Sequence, residues 1–333
     1  MNKRWFVMVA AVAVLAGCST QTPVVGSGAL PQSNVLARHF PRARSWMLKG
    51  AASQTLVYVS ENGEYNNPGV YVYSYPQGQQ VGFLQEFSGG PYQGLCSDTH
   101  GNVWALVWDT NGQAFYIEYA HGGTQPIQDI ISTGEPAGCS VDPKTGNLAI
   151  ANYMDFNIGR RGDIAIWKPG STKPLEYYDN SITYYYWCGY DDKGNLYADG
   201  NTNYLNVLYK GSSTLRHVYF KKSIVPGSLQ WSAGSLVVAQ VGGAKGPVRV
   251  DRVTVQGSGA QITGTTDLQT SPGWGNYLNV QFWIDGKTIA AAGPGSGGPV
   301  RALYFWPYPA GGKASMTIAA PSDGNFYGVA ISP

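Results

Sequence analysis

The sequence predicts an all-β chain folded as a six-bladed β-propeller with four-stranded blades, the last blade closed by the N- and C-terminal strands. Three observations lead there. A unit recurs: "GLCSDTHGNVWAL" from Gly94, "GCSVDPKTGNLAIA" from Gly138 and "WCGYDDKGNLYADG" from Trp187, with weaker copies from Gly227, Asn279 and Gly328. Successive starts lie 44, 49, 40, 52 and 49 residues apart, and self-similarity at a period of about 40–50 residues is what blades produce. From about residue 50 onward, apolar and polar residues alternate with period two between Gly, Pro and Asn turns, which means strands. Finally, the chain enters at a second strand, Thr55, and ends in an inner strand, "FYGVAIS". Two half-blades of that kind complete one another and leave no open edge.

The first residues stand apart. Met1–Arg4 is basic, and Trp5–Val14 is apolar but too short to span a bilayer comfortably. Leu15, Ala16, Gly17 and Cys18 then match a bacterial lipobox. The expected processing removes residues 1–17 as a lipoprotein signal peptide and acylates Cys18. Two or three palmitate-type chains, each stabilising by about 0.8 kcal/mol per buried methylene, anchor a protein stably. Ser19 after the cysteine fits an outer-membrane destination in a diderm cell. Residues 18–45 carry Pro, Gly and Ser without a sustained period and read as a tether. Residues 46–333 are the expected propeller.

Within it, second strands are expected at 55–60, 102–107, 147–152, 195–200, 235–240 and 288–293. Third strands follow at 69–78, 114–123, 163–170, 205–212, 248–257 and 301–312. Outer strands follow at 82–87, 126–132, 175–180, 215–220, 262–268 and 315–320. The repeated Asp98, Asp142 and Asp191 suit turns in which a carboxylate accepts backbone N–H groups two residues on. Trp231 and Trp283 stand in that place in the fourth and fifth copies.

Bulk charge excludes some partners. The chain has 22 Lys and Arg against 20 Asp and Glu. Loss of Lys3 and Arg4 with the signal peptide leaves 20 of each. No basic stripe supports nucleic-acid binding, and a monomer is expected. Beyond Cys18 the cysteines are Cys96, Cys139 and Cys188, each in a first strand. An odd number permits at most one bridge; three small buried thiols are the other reading.

The pattern G-[LIV]-x-x-D-x-x-G-N-[LV]-[YW]-[VA], clearest at 94–106, 138–151 and 187–200, resembles the NHL-repeat and SMP-30/gluconolactonase-like group of six-bladed propellers. The strands "YSYPQG" from Tyr73 and "EYAHGG" from Glu118 are similar to those of bacterial envelope lipoproteins. The lactonases of that group bind a divalent cation on the channel axis. By that resemblance Glu61 or Glu64, with Asn152 and Asp199, would be the ligands here. Their flanking motifs differ from the lactonase pattern. A streptogramin-lyase-like site would need a well-placed His. His39, His100, His121 and His217 fall in the tether, a blade turn, or in or beside outer strands.

A propeller ligand is expected at the mouth formed by loops from second to third strands and from outer strand to next inner strand. Those loops are rich in aromatic and polar residues. They bring Tyr65, Tyr92, Trp108, Asp109, Tyr153, Asp155, Arg160, Tyr184, Tyr185, Trp274, Tyr277 and Tyr327 into candidacy. Aromatic faces with amide and carboxylate edges suit sugars or planar apolar ligands, and Arg suits carboxylates. The functional expectation is a non-catalytic cell-envelope lipoprotein that binds a protein partner or glycan there, with no cofactor. The alternative is a metal-dependent hydrolase or lactonase of SMP-30 type, which would need a divalent cation.

Overall fold

The computed structural model describes residues 44–61, 68–86, 90–109, 112–155, 159, 161–240, 248–269, 281–292, 302–320 and 326–333. They form strands throughout, apart from one short 3-10 turn at Ala51–Ser53. In chain order, β1 (Trp46–Met47), β2 (Leu56–Glu61), β3 (Gly69–Ser74) and β4 (Gln80–Leu84) begin the first sheet. The second holds β5 (Tyr92–Ser97), β6 (Val103–Trp108), β7 (Ala114–Tyr119) and β8 (Pro126–Ser132). The third holds β9 (Gly134–Val141), β10 (Leu148–Asp155), β11 (Arg161–Trp167) and β12 (Leu175–Tyr177). Then come β13 (Tyr185–Tyr190), β14 (Leu196–Gly200), β15 (Tyr204–Leu208), β16 (Arg216–Phe220), β17 (Pro226–Ser232), β18 (Ser235–Gln240), β19 (Val248–Gln256) and β20 (Gly259–Gln269). The last strands are β21 (Phe282–Asp285), β22 (Thr288–Ala292), β23 (Ala302–Pro307), β24 (Gly312–Lys313), β25 (Met316–Ala319) and β26 (Phe326–Ser332).

Inner and middle strands are buried on both faces, as in β2, β3 and β7, because each sheet packs against a neighbour on either side. Outer strands such as β16 and β25 are half exposed. The last strand returns to the first sheet: β26 pairs antiparallel with β2, setting Val59 against Val329 and Leu56 against Ser332.

The expectation of six separate four-stranded blades is corrected here. The described residues form four blade-like sheets of four or five strands and one continuous nine-stranded sheet. In the large sheet β13–β16 and β17–β20 are joined by a parallel pairing, Tyr219 opposite Gly259 and Phe220 opposite Ala260. The sheet nearly closes on itself, since its end strands β13 and β17 pack side by side. The physical reason lies in β20. It spans 11 residues and starts at Gly259, three residues before the turn pattern suggests. Its early portion offers unpaired backbone groups to the free edge of β16, and exposed strand edges pair readily. Tyr219 N–H thus donates to the Ser258 carbonyl at 2.9 Å, and Lys221 N–H to the Ala260 carbonyl at 3.0 Å. At its far end β20 also takes β24, Leu268 opposite Gly312. The labels NHL-repeat and SMP-30-like fall with the six-blade count, because the repeat that carried them encodes inner-strand turns and says nothing of how outer strands join.

The repeat's own residues have clear jobs. Asp191 Oδ1 accepts the N–H groups of Lys193 and Asn195, each at 2.8 Å, and Asp98 does the same for His100 and Asn102. Gly194 closes its turn at φ 85°, a conformation that side chains disfavour. The leading glycine serves packing. A Cβ on Gly94 would lie 2.5 Å from the Ala137 carbonyl and 2.8 Å from the Gly138 Cα. That close approach of β5 and β9 places Cys96 and Cys139 with Cα atoms 5.7 Å apart, and they form a disulfide. Cys188 is a buried free thiol.

Candidate functional site

The inner strands pack in sequence around a common axis, β13 between β9 and β17, and β26 between β5 and β21. Each end of that axis gathers distinctive residues. At the end where the inner strands begin, Trp187 of β13 and Tyr327 of β26 face one another with ring centroids 5.5 Å apart, although their strands are not neighbours. A Cβ on Gly138 would lie 2.5 Å from the Trp187 ring, so the indole lies against the bare backbone of β9. Asp199, at the end of β14, fixes the start of β13: its Oδ1 accepts the Trp187 N–H at 2.7 Å, while Oδ2 has no hydrogen-bond partner. Burial pushes the Asp199 carboxyl well above the usual carboxylate range.

Beside this pair is a platform. Tyr153, at the end of β10, stacks on Tyr184 at 4.3 Å and 7°, and Tyr186 leans on Tyr153 at 5.7 Å. All three rings are partly exposed. Glu135, at the start of β9, has its carboxyl raised by burial. Offset or edge contacts of this kind contribute about 0.5–1.5 kcal/mol beyond the area they bury. This end of the axis therefore offers flat aromatic faces beside one carboxyl group, Glu135, and a second, Asp199, sealed beneath.

The opposite end, where the repeated Asp turns lie, holds a cavity of about 390 Å³. The Cys96–Cys139 disulfide, Cys188, Asp98, Asp191, Trp231 and Trp283 contribute to its wall. Trp283 packs against three separate core groups. There Asp98 and Asp191 spend their oxygens on their own turns. The platform end carries the free aromatic faces, and it is the candidate site.

The sequence-nominated residues divide accordingly. Tyr153, Tyr184 and Tyr327 come together at the platform end. Tyr92 is fully buried, and its hydroxyl accepts the Glu86 N–H at 2.9 Å. Tyr185 is fully buried and accepts from Asn206 at 2.7 Å. Trp108 ends β6 half-buried, and Asp109 accepts the Gln113 N–H in a local turn. Asp155 is buried at the end of β10. Glu61 is buried where β2 meets Phe326 of β26. Asn152 donates to Asp163 at 2.7 Å and accepts the Tyr116 hydroxyl at 3.3 Å. Asn152 and Asp199 are thus each engaged with their own local partners. Cys18, Glu64, Tyr65, Arg160, Trp274 and Tyr277 lie outside the described residues. Three residues of the site were not nominated: Glu135, Tyr186 and Trp187. The run Thr183–Trp187 held the signal, since residues two apart on a strand share a face, which sets Tyr186 beside Tyr184.

No protein-family model matches the chain, and no curated protein matches it. Among solved structures it resembles TolB from Acinetobacter baumannii, with a TM-score of 0.59 and 14% identity over 85% of this chain and 68% of that one. It also resembles a protein of unknown function from Bacteroides caccae, with a TM-score of 0.58 and 14% identity over 84% of this chain and 99% of that one. At that identity the likeness is one of fold. It lies with a TolB-like architecture, which replaces the NHL and SMP-30 resemblance and removes the basis for carrying over a lactonase site.

Proposed function

We propose that the chain is an exported binding protein of the cell envelope that holds a partner protein at the platform end of its axis. The observation that carries this reading is the half-exposed stack of Tyr153 on Tyr184 with Tyr186 beside it. Aromatic rings with a polar rim are what protein-binding patches use for anchorage. The fold likeness to TolB is in keeping with it. Removal of residues 1–17, acylation of Cys18 and a tether over 18–45 complete the proposal, with outer-membrane placement in a diderm cell. They put the β-sheet body, which begins at Trp46 in β1, at a distance from the bilayer.

The near-parallel stack favours glycan as a second reading, because sugar rings seat on flat aromatic faces. One experiment separates them. The full chain and a Tyr153→Ala/Tyr184→Ala variant are displayed in envelope cross-linking and on a glycan array. Cross-links to one protein that vanish in the variant support the first reading. Array binding that vanishes in the variant supports the second. Equal signals from both proteins overturn the site. Metabolic labelling with palmitate, compared with Cys18→Ala, tests the anchor.

A further inference from the structure

Trp231 and Trp283 stand where other copies of the repeat carry the turn aspartate, and the register shows why their turns do not need one. Between Ser97 and Val103, and between Tyr190 and Leu196, the chain crosses over through residues 98–102 and 191–195, and Asp98 or Asp191 holds the crossing together. Ser232 instead pairs with Ser235 around Ala233 and Gly234, at φ 48° and 78°. Asp285 likewise pairs with Thr288 around Gly286 and Lys287, with Gly286 at φ 54°. Two-residue hairpins close on positive φ and need no capping carboxylate. The two indoles therefore have no part in a turn.

Both indoles border the cavity of about 390 Å³ at this end of the axis. They come from inner strands tied together there: Gln230 of β17 accepts the Ile284 N–H at 2.6 Å and donates to the Ile284 carbonyl at 3.2 Å. Each ring is half-buried and anchored in the core, Trp283 by the three groups noted above and Trp231 by the group that holds β17 and β18. Buried Leu229 and Phe282 extend the apolar wall. A hollow of this size holds a small organic molecule. Its rim is acidic. Asp192 and Asp285 are exposed residues of the wall, and neither carboxylate makes a hydrogen bond or ion pair. Asp98 and Asp191 add negative charge, although their oxygens serve their own turns and Asp98 also faces His100 at 3.6 Å. Among the described residues that line the cavity there is no Lys, Arg or His.

We propose that this cavity binds a small organic cation with a flat apolar body. The flat body lies against Trp231, Trp283, Leu229 and Phe282, and the positive group faces Asp192 and Asp285 at the rim. Indole is the side chain that attracts a neighbouring cation best. Carboxylates without partners at the mouth of a cleft draw the same charge and turn anions away. A neutral molecule of the same shape gains the wall but not the rim. The cavity lies at the end of the axis opposite the aromatic platform and does not depend on the partner proposed above.

The test uses the full chain and three probes that share one ring and differ in charge: phenethylamine, phenethyl alcohol and hydrocinnamate. Each is titrated calorimetrically at neutral pH and low salt, with ligand-observed NMR in parallel. The amine should bind at least about tenfold more tightly than the alcohol, and hydrocinnamate should not bind. Asp192→Asn combined with Asp285→Asn, both at exposed positions, should keep the melting temperature and bring the amine down to the alcohol's affinity. Trp231→Leu should weaken amine and alcohol together, and the aspartate variant decides the matter even where Trp231→Leu melts early. Tyr153→Ala/Tyr184→Ala should bind the amine as the parent does. Absence of amine binding overturns the proposal, as do equal affinities for the three probes or an amine affinity untouched in the aspartate variant. Loss of amine binding in the tyrosine variant overturns it too, by moving the ligand to the platform.

Discussion

Trp187 and Tyr327 place their rings 5.5 Å apart, at 31°, from strands that lie on different sides of the axis. Through this contact the start of the large sheet leans on the strand that completes the first sheet. Tyr327→Phe keeps the ring and should leave the denaturation midpoint nearly unchanged. Tyr327→Ala should cost about 3 kcal/mol, in the range for aromatic truncations. Equal losses in the two variants, measured by urea unfolding, would mean that the ring contact contributes nothing.

The pairing of β26 with β2 predicts the effect of truncation. Ser60 accepts the Gly328 N–H at 2.7 Å, and Ser332 donates to the Gly101 carbonyl at 2.5 Å. Ending the chain before Phe326 exposes one edge of β2 and uncovers its core residues Val57 and Val59. The truncated protein should lose protease resistance and cooperative unfolding. Wild-type resistance to limited proteolysis would be incompatible with this closure.

Reducing the Cys96–Cys139 bond, which spans 43 residues, should lower stability by about 2–4 kcal/mol. Melting with and without dithiothreitol measures it, and Cys96→Ser should reproduce the reduced value. In the oxidised native protein Cys188 is buried, and burial raises its thiol far above the ordinary range. It should react with a thiol reagent only after denaturant is added. Rapid labelling of the native protein at Cys188 would contradict its burial.

Stability should fall as pH rises from mildly acid to mildly alkaline. The carboxyls of Glu86, Glu118 and Asp163 are pushed up to about 7, in each case chiefly by burial. Between the ordinary carboxyl range and 7 the folded state therefore holds more protons than the unfolded state, so unfolding free energy declines across that window. The melting temperature should be higher at about pH 5.5 than at about pH 8. Asp163→Asn should flatten part of the slope. A flat profile would show that these groups ionise freely in the fold, and a slope of opposite sign that the fold holds its carboxyls below their ordinary range.

Gly94→Ala probes the contact between β5 and β9. The new methyl would meet the Ala137 carbonyl at 2.5 Å, and backbone cannot step aside as a side chain can. A loss of about 1–3 kcal/mol is expected, as for other overpacked sites. A neutral result in thermal unfolding would show that the two strands can move apart freely.

Strand positions were legible in the sequence because local signals encode them. Turn residues and period-two alternation marked β6, β10, β14 and β18 to within a few residues. How the outer strands join was not legible. Whether β16 pairs with β20 depends on two backbone edges meeting in space, and no side-chain pattern records a parallel pairing of Tyr219 with Gly259. The disulfide was left open for a similar reason: the spacing of Cys96 and Cys139 cannot reveal that Gly94 lets their strands approach. At the platform, loop composition exposed Tyr153 and Tyr184. Trp187 opens a copy of the repeat, and that motif records its turn and not the opposing Tyr327 that gives its ring a second role. Asp155, Asp163 and Glu176 sit on β10, β11 and β12, and their meeting on one sheet is invisible until register is known.

The bond between Ser60 and Gly328 joins residues 268 positions apart, and this separation sets the order of events in time. Until the final strand arrives, β2 presents an unsatisfied edge while the intervening sheets collapse around it. Non-local pairing of this kind slows folding and prolongs the lifetime of species that stick to one another. A polypeptide in which β26 has not yet joined β2 is thus a half-finished structure with a vacant slot, open to chaperones, to proteases, or to the equivalent strand of another copy.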